Sequence, residues 1–204
     1  MLWSCGGIAT ANLEGQHMIL SEGIAGQEAQ FIALFEATFA ASEGASEGAV
    51  IGGLVRALLS KTPSEDIYVF TAHDTPHDTA HDKDTLIGVA IFSRLVYAED
   101  PRSVFILSPM AVASHRQGQG VGQALLRHAL TKLRDAGVDV AITYGDPAFY
   151  GKIGFEPLDP ERVAAPLPLS MPIGWIGQSL TETPLVALKG ACSCVEALND
   201  PSIW

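Results

Sequence analysis

The six residues from Gln117 to Gly122 constrain the fold of this chain more than any other segment. They read Gln-Gly-Gln-Gly-Val-Gly and lie between an apolar run, 104–112, and a stretch, 120–136, with apolar residues at helical spacing. A glycine-rich turn that leads into a helix leaves several backbone N–H groups unpaired at the positive end of the helix dipole. Glycine also allows a ligand to approach the backbone closely. The pattern therefore predicts a strand, an anion-binding turn and a helix, with a phosphate or pyrophosphate as the anion.

Composition and charge narrow the classes of partner. The chain has 204 residues, which is enough for one domain with a full core. Its formal net charge of −11 disfavours a nucleic-acid partner, because such binding depends on basic patches, and favours a cationic small molecule or a basic peptide. No apolar run reaches the roughly 18 residues that span a bilayer, so we expect no membrane partner. The three cysteines, an odd number without a framework spacing, favour a reducing, cytoplasmic compartment.

Four basic residues lie near the glycine-rich turn of this acidic chain: Arg116, Arg127, Lys132 and Arg134. They indicate an anionic cofactor at this place. For the last three, ordinary solvated charges on a helix face are an equally good interpretation.

Hydrophobic periodicity gives the order of the elements. We predict strands at 17–21, 67–72, 86–97, 104–112, 138–143, 175–180 and 185–195, helices at 27–41, 49–59, 120–136 and 147–152, and a loop at 42–48. This order predicts an α/β fold with a single mixed sheet and helices on both faces, in one domain over residues 17–204. Residues 1–16 lack Lys and Arg, which argues against a secretory signal, and we interpret them as a flexible leader or a non-native remnant.

A dinucleotide-binding Rossmann fold is the first alternative for the glycine-rich turn, and the sequence disfavours it. A fingerprint that starts at Gly118 requires glycine at position 123, where this chain has Gln123. The strand at 138–143 leads to Tyr144 and not to the acidic residue that would bind a ribose.

Two motifs in order resemble the GNAT acyltransferase superfamily, and within it the YhbS-type subgroup. The first is Gln117 to Gly122, which is similar to the acetyl-CoA signature of that family. The second is the segment from Gly145 to Pro157, which reads Gly-Asp-Pro-Ala-Phe-Tyr-Gly-Lys-Ile-Gly-Phe-Glu-Pro. It resembles the family segment in which an aromatic pair follows the fifth strand. The resemblance implies a GNAT-like fold and an acetyl-CoA-dependent N-acetyltransferase without a metal.

The resemblance also implies roles for individual residues. Backbone amides of the turn would bind the coenzyme A pyrophosphate, and the pantetheine arm would pair with the strand edge at 110–112. The amide of Met110 or Ala111 would stabilise the oxyanion, and Tyr150 would act as the general acid. The predicted cofactor-binding residues are Met110, Ala111, Val112, Gln117, Gly118, Gln119, Gly120, Val121, Gly122 and Tyr150, and the predicted catalytic residues are Tyr150 and Met110.

The sequence leaves the acyl acceptor and the general base open. An amine is the acceptor class that the family implies, and the helix pair 27–59 would form its wall. Ser108, Glu99, Glu36, Asp146 and a water chain are the candidates for the base, although Asp146 is better interpreted as a helix cap. A non-catalytic acyl-CoA-binding module is the alternative function. A homodimer stays open, since closing strands in this family often help to form dimers.

The segment 73–84 has His and Asp at every fourth position, which raises the hypothesis of a metal site. Pro76 breaks the helix that would stack these histidines, so we predict a polar loop at a hairpin tip and no metal.

Overall fold

The computed structural model describes residues 9–13, 16–24, 26–74 and 85–204. Its strands are β1 (Ala9–Leu13), β2 (Gln16–Glu22), β3 (Ile67–Asp74), β4 (Thr85–Tyr97), β5 (Val104–Val112), β6 (Val140–Tyr144), β7 (Glu156–Pro157), β8 (Trp175–Ser179) and β9 (Cys192–Cys194). Its helices are α1 (Glu28–Glu43), α2 (Ala45–Lys61), α3 (Val121–Asp135) and α4 (Pro147–Tyr150). The strands follow the order β1-β2-β3-β4-β5-β6-β8-β7, with β9 paired to β4. The predicted mixed α/β sheet is confirmed.

The chain divides into two compact units. The first takes residues up to Leu59, Tyr68–Ile91 and Pro109–His128, and the second takes Ser60–Ile67, Phe92–Ser108 and Ala129–Trp204. Strands β4 and β5 and helix α3 each contribute to both units. The interpretation of residues 17–204 as one domain stays a prediction.

In the first unit, β1, β2 and β3 are antiparallel neighbours. The register pairs Ala9 with Leu20 across β1 and β2, and Met18 with Asp74 across β2 and β3. Part of the predicted leader therefore lies in the sheet, because Ala9–Leu13 forms a strand on β2. The other residues of the predicted leader, 1–8, 14 and 15, lie outside the described residues, except for Gln16, which begins β2. Residues 9–13 do alternate between apolar and polar side chains, but the interpretation of residues 1–16 as a leader excluded them from the predicted fold.

The predicted loop at 42–48 is wrong, because only Gly44 separates α1 from α2. Gly44 has φ of +101°, which suits glycine, and the chain turns there within one residue. Gly48 and Gly52 belong to α2. A Cβ on Gly48 would lie 2.6 Å from the Glu36 carbonyl oxygen, and one on Gly52 would lie 2.3 Å from the Glu36 side chain. These glycines allow close helix packing, a use that composition alone does not distinguish from a loop.

The second unit contains strands β6 to β9. β5 and β6 are parallel from Val104 and Val140 to Leu107 and Thr143, and β8 is antiparallel to β6. The predicted strand at 185–195 is shorter in the structure: only Cys192–Cys194 is extended, and it pairs with β4. Residues 187–189, which precede β9, are held by contacts with the turn after β4. Arg102 Nη2 donates to the Ala187 carbonyl at 2.6 Å, and the Lys189 N–H donates to Asp100 at 3.1 Å.

Asp100 anchors this turn, and its charge is expected to stabilise the fold. Arg102 donates to both carboxylate oxygens, at 2.7 and 2.6 Å, and the Asp100 side chain is only 4% exposed. The side-chain hydrogen bonds from Arg102 hold the pKa of Asp100 well below its usual range. The stabilisation is therefore present above the unfolded pKa of about 3.9 and is lost as the pH falls below that value.

We predict that Asp100→Asn lowers the free energy of unfolding at neutral pH by about 2–3 kcal/mol, since it removes a charged acceptor. Urea denaturation at neutral pH and near pH 3 measures the effect, and the difference from wild type should shrink in acid. Glu156→Gln, at an exposed position of β7, is the control with an expected change near zero. An Asp100→Asn effect that is equal at both pH values would contradict the ionic interpretation.

Among the described residues, no helix is long and apolar enough to cross a membrane. The His/Asp-rich segment falls largely outside the described residues, since only His73 and Asp74, at the end of β3, belong to them.

Candidate active site

Near Pro109, strand β5 loses its hydrogen-bonded neighbour β6. The pairing with β6 runs as far as Leu107, and Pro109 has no N–H to donate. Beyond it, Met110 and Val112 are half-buried and Ala111 is buried. The Ala113 N–H donates to the Ile87 carbonyl of β4 at 2.9 Å, so the strand stays attached to β4 on its other edge.

The glycine-rich turn is exposed and has the backbone that its glycines permit. Gly118 and Gly120 have φ of +73° and +82°, values that other residues rarely adopt. Two side chains fold back on the turn: Gln117 Nε2 donates to the Val112 carbonyl at 3.0 Å, and Gln119 Nε2 donates to the His115 carbonyl at 2.9 Å. These two bonds use side-chain amides. The Gln117 backbone N–H donates to the Ser114 carbonyl at 3.4 Å, so the backbone donors that these bonds leave to other acceptors begin at Gly118.

Helix α3 begins directly after this turn. The Ala124 N–H donates to the Gly120 carbonyl at 3.0 Å, which is the first bond of the helix. The N–H groups of Val121, Gly122 and Gln123 precede that bond and have no partner within the helix. The exposed stretch from Gly118 to Gly120 and the start of α3 therefore have the arrangement of backbone donors that is typical of anion sites at helix N-termini.

Arg116 lies next to the turn, whereas two of the other basic residues lie far from it. Arg116 forms an ion pair with Asp74 at the end of β3, at 3.0 Å, and its side chain is 14% exposed. Lys132 and Arg134 lie in the last turn of α3, about 17 Å and about 20 Å from its first residue. Arg134 Nε donates there to the Leu180 carbonyl at 2.8 Å. The basic island is therefore smaller than predicted, because helix length carries its C-terminal members away from the turn.

In the second unit, the segment that carries Tyr150 starts with a capped helix. Asp146 Oδ1 accepts the Ala148 N–H at 2.8 Å, and Pro147 occupies the first helical position. The predicted role of Asp146 as a helix cap is confirmed. After α4 the chain reverses at Gly154, whose φ is +95°, and the Phe155 N–H donates to the Tyr150 carbonyl at 3.3 Å.

The Tyr150 ring is held from three sides. Its centroid lies 5.0 Å from that of Phe149 and 5.7 Å from that of Phe155, both in edge-on geometry. A Cβ on Gly145 would lie 2.7 Å from the Tyr150 ring, so glycine is required there for the ring to lie against the backbone. The ring orientation is therefore fixed by local packing.

Thr143, a residue that sequence analysis did not identify, influences the Tyr150 hydroxyl. Thr143 Oγ1 is buried and donates to the Leu107 carbonyl at 3.2 Å. The Thr143 hydroxyl also acts on the Tyr150 phenol and lowers its pKa, against the larger effect of burial. A lone threonine at a strand end has no sequence signal that distinguishes it from an ordinary strand residue.

Burial raises the pKa of the Tyr150 phenol above its ordinary value, and the nearby charge of Asp146 acts in the same direction. The group is therefore a neutral phenol with a proton to donate throughout the physiological range.

The remaining base candidates lie in different surroundings. Glu36 of α1 lies 3.7 Å from Arg56 and against Gly52, Glu99 is exposed in the turn after β4, and Ser108 is half-buried in β5. Within the described part of the chain, no group of three or more His, Cys, Asp or Glu side chains is arranged to hold a metal ion.

Comparison with known proteins agrees with this geometry. Residues 63–157 match the family model of the acetyltransferase (GNAT) domain. Among curated proteins, the chain is 31% identical over 115 residues to the uncharacterized N-acetyltransferase YjhQ of Escherichia coli K12, covering 54% of this chain and 63% of that protein. It is 37% identical over 76 residues to the uncharacterized N-acetyltransferase YhbS of the same strain, covering 37% of this chain and 45% of YhbS. The match thus spans less than two thirds of either relative.

Solved structures extend the likeness over the whole fold. The crystal structure of E. coli YhbS in complex with CoA gives a TM-score of 0.72 at 20% identity, covering 98% of this chain and 97% of that one. A GNAT family acetyltransferase from Brucella melitensis in complex with acetyl-CoA gives 0.66 at 21% identity, covering 90% and 99%. These scores confirm the predicted GNAT-like fold. Residues 63–157 thus resemble the acetyltransferase (GNAT) domain in sequence, and the whole chain resembles such proteins in fold.

Proposed function

We propose that this chain is an acetyl-CoA-dependent N-acetyltransferase that transfers the acyl group directly to an amine. The observation that carries the proposal is the exposed set of backbone donors from Gly118 to the start of α3, within the region that matches the GNAT domain model. Two solved proteins of this fold carry CoA or acetyl-CoA, which supports the same cosubstrate here.

The first unit supplies the proposed cofactor-binding groups. The N–H groups of Gly118 to Gly122 would bind the pyrophosphate, where the helix dipole favours negative charge, whereas the predicted Gln117 N–H already donates to Ser114. The pantetheine arm would pair as an added strand with β5 at Met110, Ala111 and Val112, beyond the point where β6 stops pairing. The Met110 N–H is assigned to the thioester carbonyl, and one such oxyanion donor contributes about 3 kcal/mol to the transition state.

Tyr150 supplies the proposed acid. The amine nitrogen attacks the thioester carbon, a C–N bond forms, and the C–S bond breaks. The Tyr150 proton moves to the departing sulfur, and the phenolate regains a proton from solvent. The excess proton of the amine leaves to a water or to a carboxylate. Asp146 is not assigned as this base, because its side chain already accepts the Ala148 N–H.

The acceptor class is a primary amine, and the net charge of −11 favours one that arrives as a cation. The helix pair of α1 and α2 is assigned as the acceptor wall. A cytoplasmic location, the lack of a nucleic-acid partner and a homodimer stay predictions from the sequence.

An acceptor screen with detection of free thiol, run beside calorimetry with acetyl-CoA, tests the proposal. We expect saturable acetyl-CoA binding and release of thiol only when a productive amine is present. Binding without thiol release across a broad amine panel would support a non-catalytic acyl-CoA-binding module instead. A lack of acetyl-CoA binding would contradict both functions.

The raised pKa of Tyr150 predicts the pH dependence of turnover. Since the phenol stays protonated up to and beyond its ordinary pKa of about 10, loss of the acid should not reduce kcat at any lower pH. Measurement of kcat at saturating substrates from about pH 6 to 10 checks this expectation. A falling limb near neutral pH would assign the acid to another group.

A further inference from the structure

Strand β9 presents two thiols on one face. Cys192 and Cys194 are both free and half-buried, and they pair in register with Tyr97 and Leu95 of β4. Directly opposed residues of antiparallel strands share a face, and Tyr97 and Leu95 are 3% and 1% exposed. Both cysteine side chains therefore lie on the face of the β4–β9 strand pair that carries Tyr97 and Leu95, where they stay partly exposed. Ser193 lies on the opposite, exposed face.

The strand is held in place by the residues that directly precede this pair. The Ala98 N–H donates to the Ala191 carbonyl at 3.0 Å, and the Glu99 N–H donates to the Lys189 carbonyl at 3.2 Å. Gly190 has φ of +85°, and a Cβ there would lie 2.7 Å from the Glu99 nitrogen. The register of β9 is thus fixed by contacts next to the cysteines, and the thiols are presented together by the folded strand.

The spacing of the two cysteines suits a third atom bound between the two sulfurs better than a direct disulfide bond. Residues i and i+2 of a strand have Cα atoms about 6.7 Å apart, which is at the upper limit of the range of about 4.4–6.8 Å that disulfides occupy. An atom inserted between the sulfurs lengthens the link by roughly one further bond of about 2.3 Å, the length of a zinc–sulfur bond. We propose that Cys192 and Cys194 form a chelating dithiol site for a soft, thiophilic centre that takes two sulfur ligands, such as trivalent arsenic.

The chemistry is a condensation without oxidation or reduction. With phenylarsine oxide, two As–S bonds form, two S–H bonds and the As–O bonds break, and the oxygen leaves with both protons as one water. No other reactant is needed.

The test uses the full chain with Cys5→Ser, so that Cys192 and Cys194 are the remaining thiols. After reduction with a phosphine and its removal, phenylarsine oxide is added and adducts are counted by intact-protein mass spectrometry. We expect one phenylarsenic per chain that resists excess monothiol and is removed by a dithiol. Cys192→Ser and Cys194→Ser should each weaken binding by about a hundredfold or more, because the second bond is intramolecular.

A matched variant separates folded geometry from simple chain proximity. Ser193→Cys combined with Cys194→Ser keeps two thiols but places them on opposite faces of β9. This variant should bind as weakly as the single-thiol variants when folded and regain tight binding in denaturant. Equal binding by the folded rearranged variant, or wild-type binding no tighter than that of single-thiol variants, would overturn the proposal. Circular dichroism confirms that each variant is folded.

Discussion

Replacement of Tyr150 by phenylalanine is expected to lower kcat by about a hundredfold while the dissociation constant of acetyl-CoA stays within about twofold. The substitution removes only the hydroxyl, and the ring keeps its edge-on contacts with Phe149 and Phe155. A general acid typically contributes about 10²–10⁴ to a rate, and the thiolate is a poor leaving group without a proton. Steady-state kinetics with thiol detection and calorimetry with acetyl-CoA measure the two quantities.

Tyr144→Phe is the matched control for this experiment. The Tyr144 hydroxyl accepts the Met171 N–H at 2.6 Å and bonds to Ser170 at 3.0 Å, so its loss removes structural hydrogen bonds. We expect a lower melting temperature and nearly unchanged kcat. If Tyr150→Phe behaved like Tyr144→Phe, with reduced stability and full activity, Tyr150 would be a packing residue and the acid would have to be found elsewhere.

Replacement of Gly118 by valine is expected to weaken acetyl-CoA binding by about tenfold to a hundredfold. A β-branched residue is strained at the Gly118 φ of +73°, by about 1–2 kcal/mol or more, and relief of that strain turns the backbone donors of the turn. Each lost hydrogen bond to a charged phosphate is worth about 1.5–3 kcal/mol, and about 1.4 kcal/mol corresponds to a tenfold change in affinity. Calorimetry gives the affinity, and thermal unfolding with and without acetyl-CoA provides a second measure.

Gly137→Val is the control that isolates ligand binding from backbone strain. Gly137 has φ of +81° at the end of α3, and, as at Gly118, an added Cβ meets no atom within 4 Å. Both variants should lose similar stability, but only Gly118→Val should lose affinity. Wild-type affinity in Gly118→Val would show that the turn does not bind the pyrophosphate.

Local signals explain why the turn, β5, α3 and the capped segment before Tyr150 could be predicted. The apolar run of β5 was located with the bounds Val104–Val112, and Asp146-Pro147 marked the start of α4. Each of these features depends on residues that are close in sequence, where spacing and capping chemistry are informative.

The glycines of residues 44–52 show where local sequence signals fail to predict the structure. Gly44 ends α1 with a positive φ, as a turn residue does, whereas Gly48 and Gly52 lie inside α2 because Glu36 of α1 approaches them closely. The same residue type thus serves chain reversal or helix packing. The partner that decides between these uses is twelve to sixteen residues away, beyond the range of a local pattern.

The sequence by itself determined the elements of the proposed anion site and of the segment that holds the aromatic pair, because glycine conformation, helix capping and apolar spacing act over a few residues. Only the tertiary structure decided that Thr143 donates to the Leu107 carbonyl, that Arg116 pairs with Asp74, and that β9 joins β4 and presents two thiols on one face. These contacts join residues far apart in the chain. Burial and sheet register bring them together, and neither is encoded in the spacing of nearby residues.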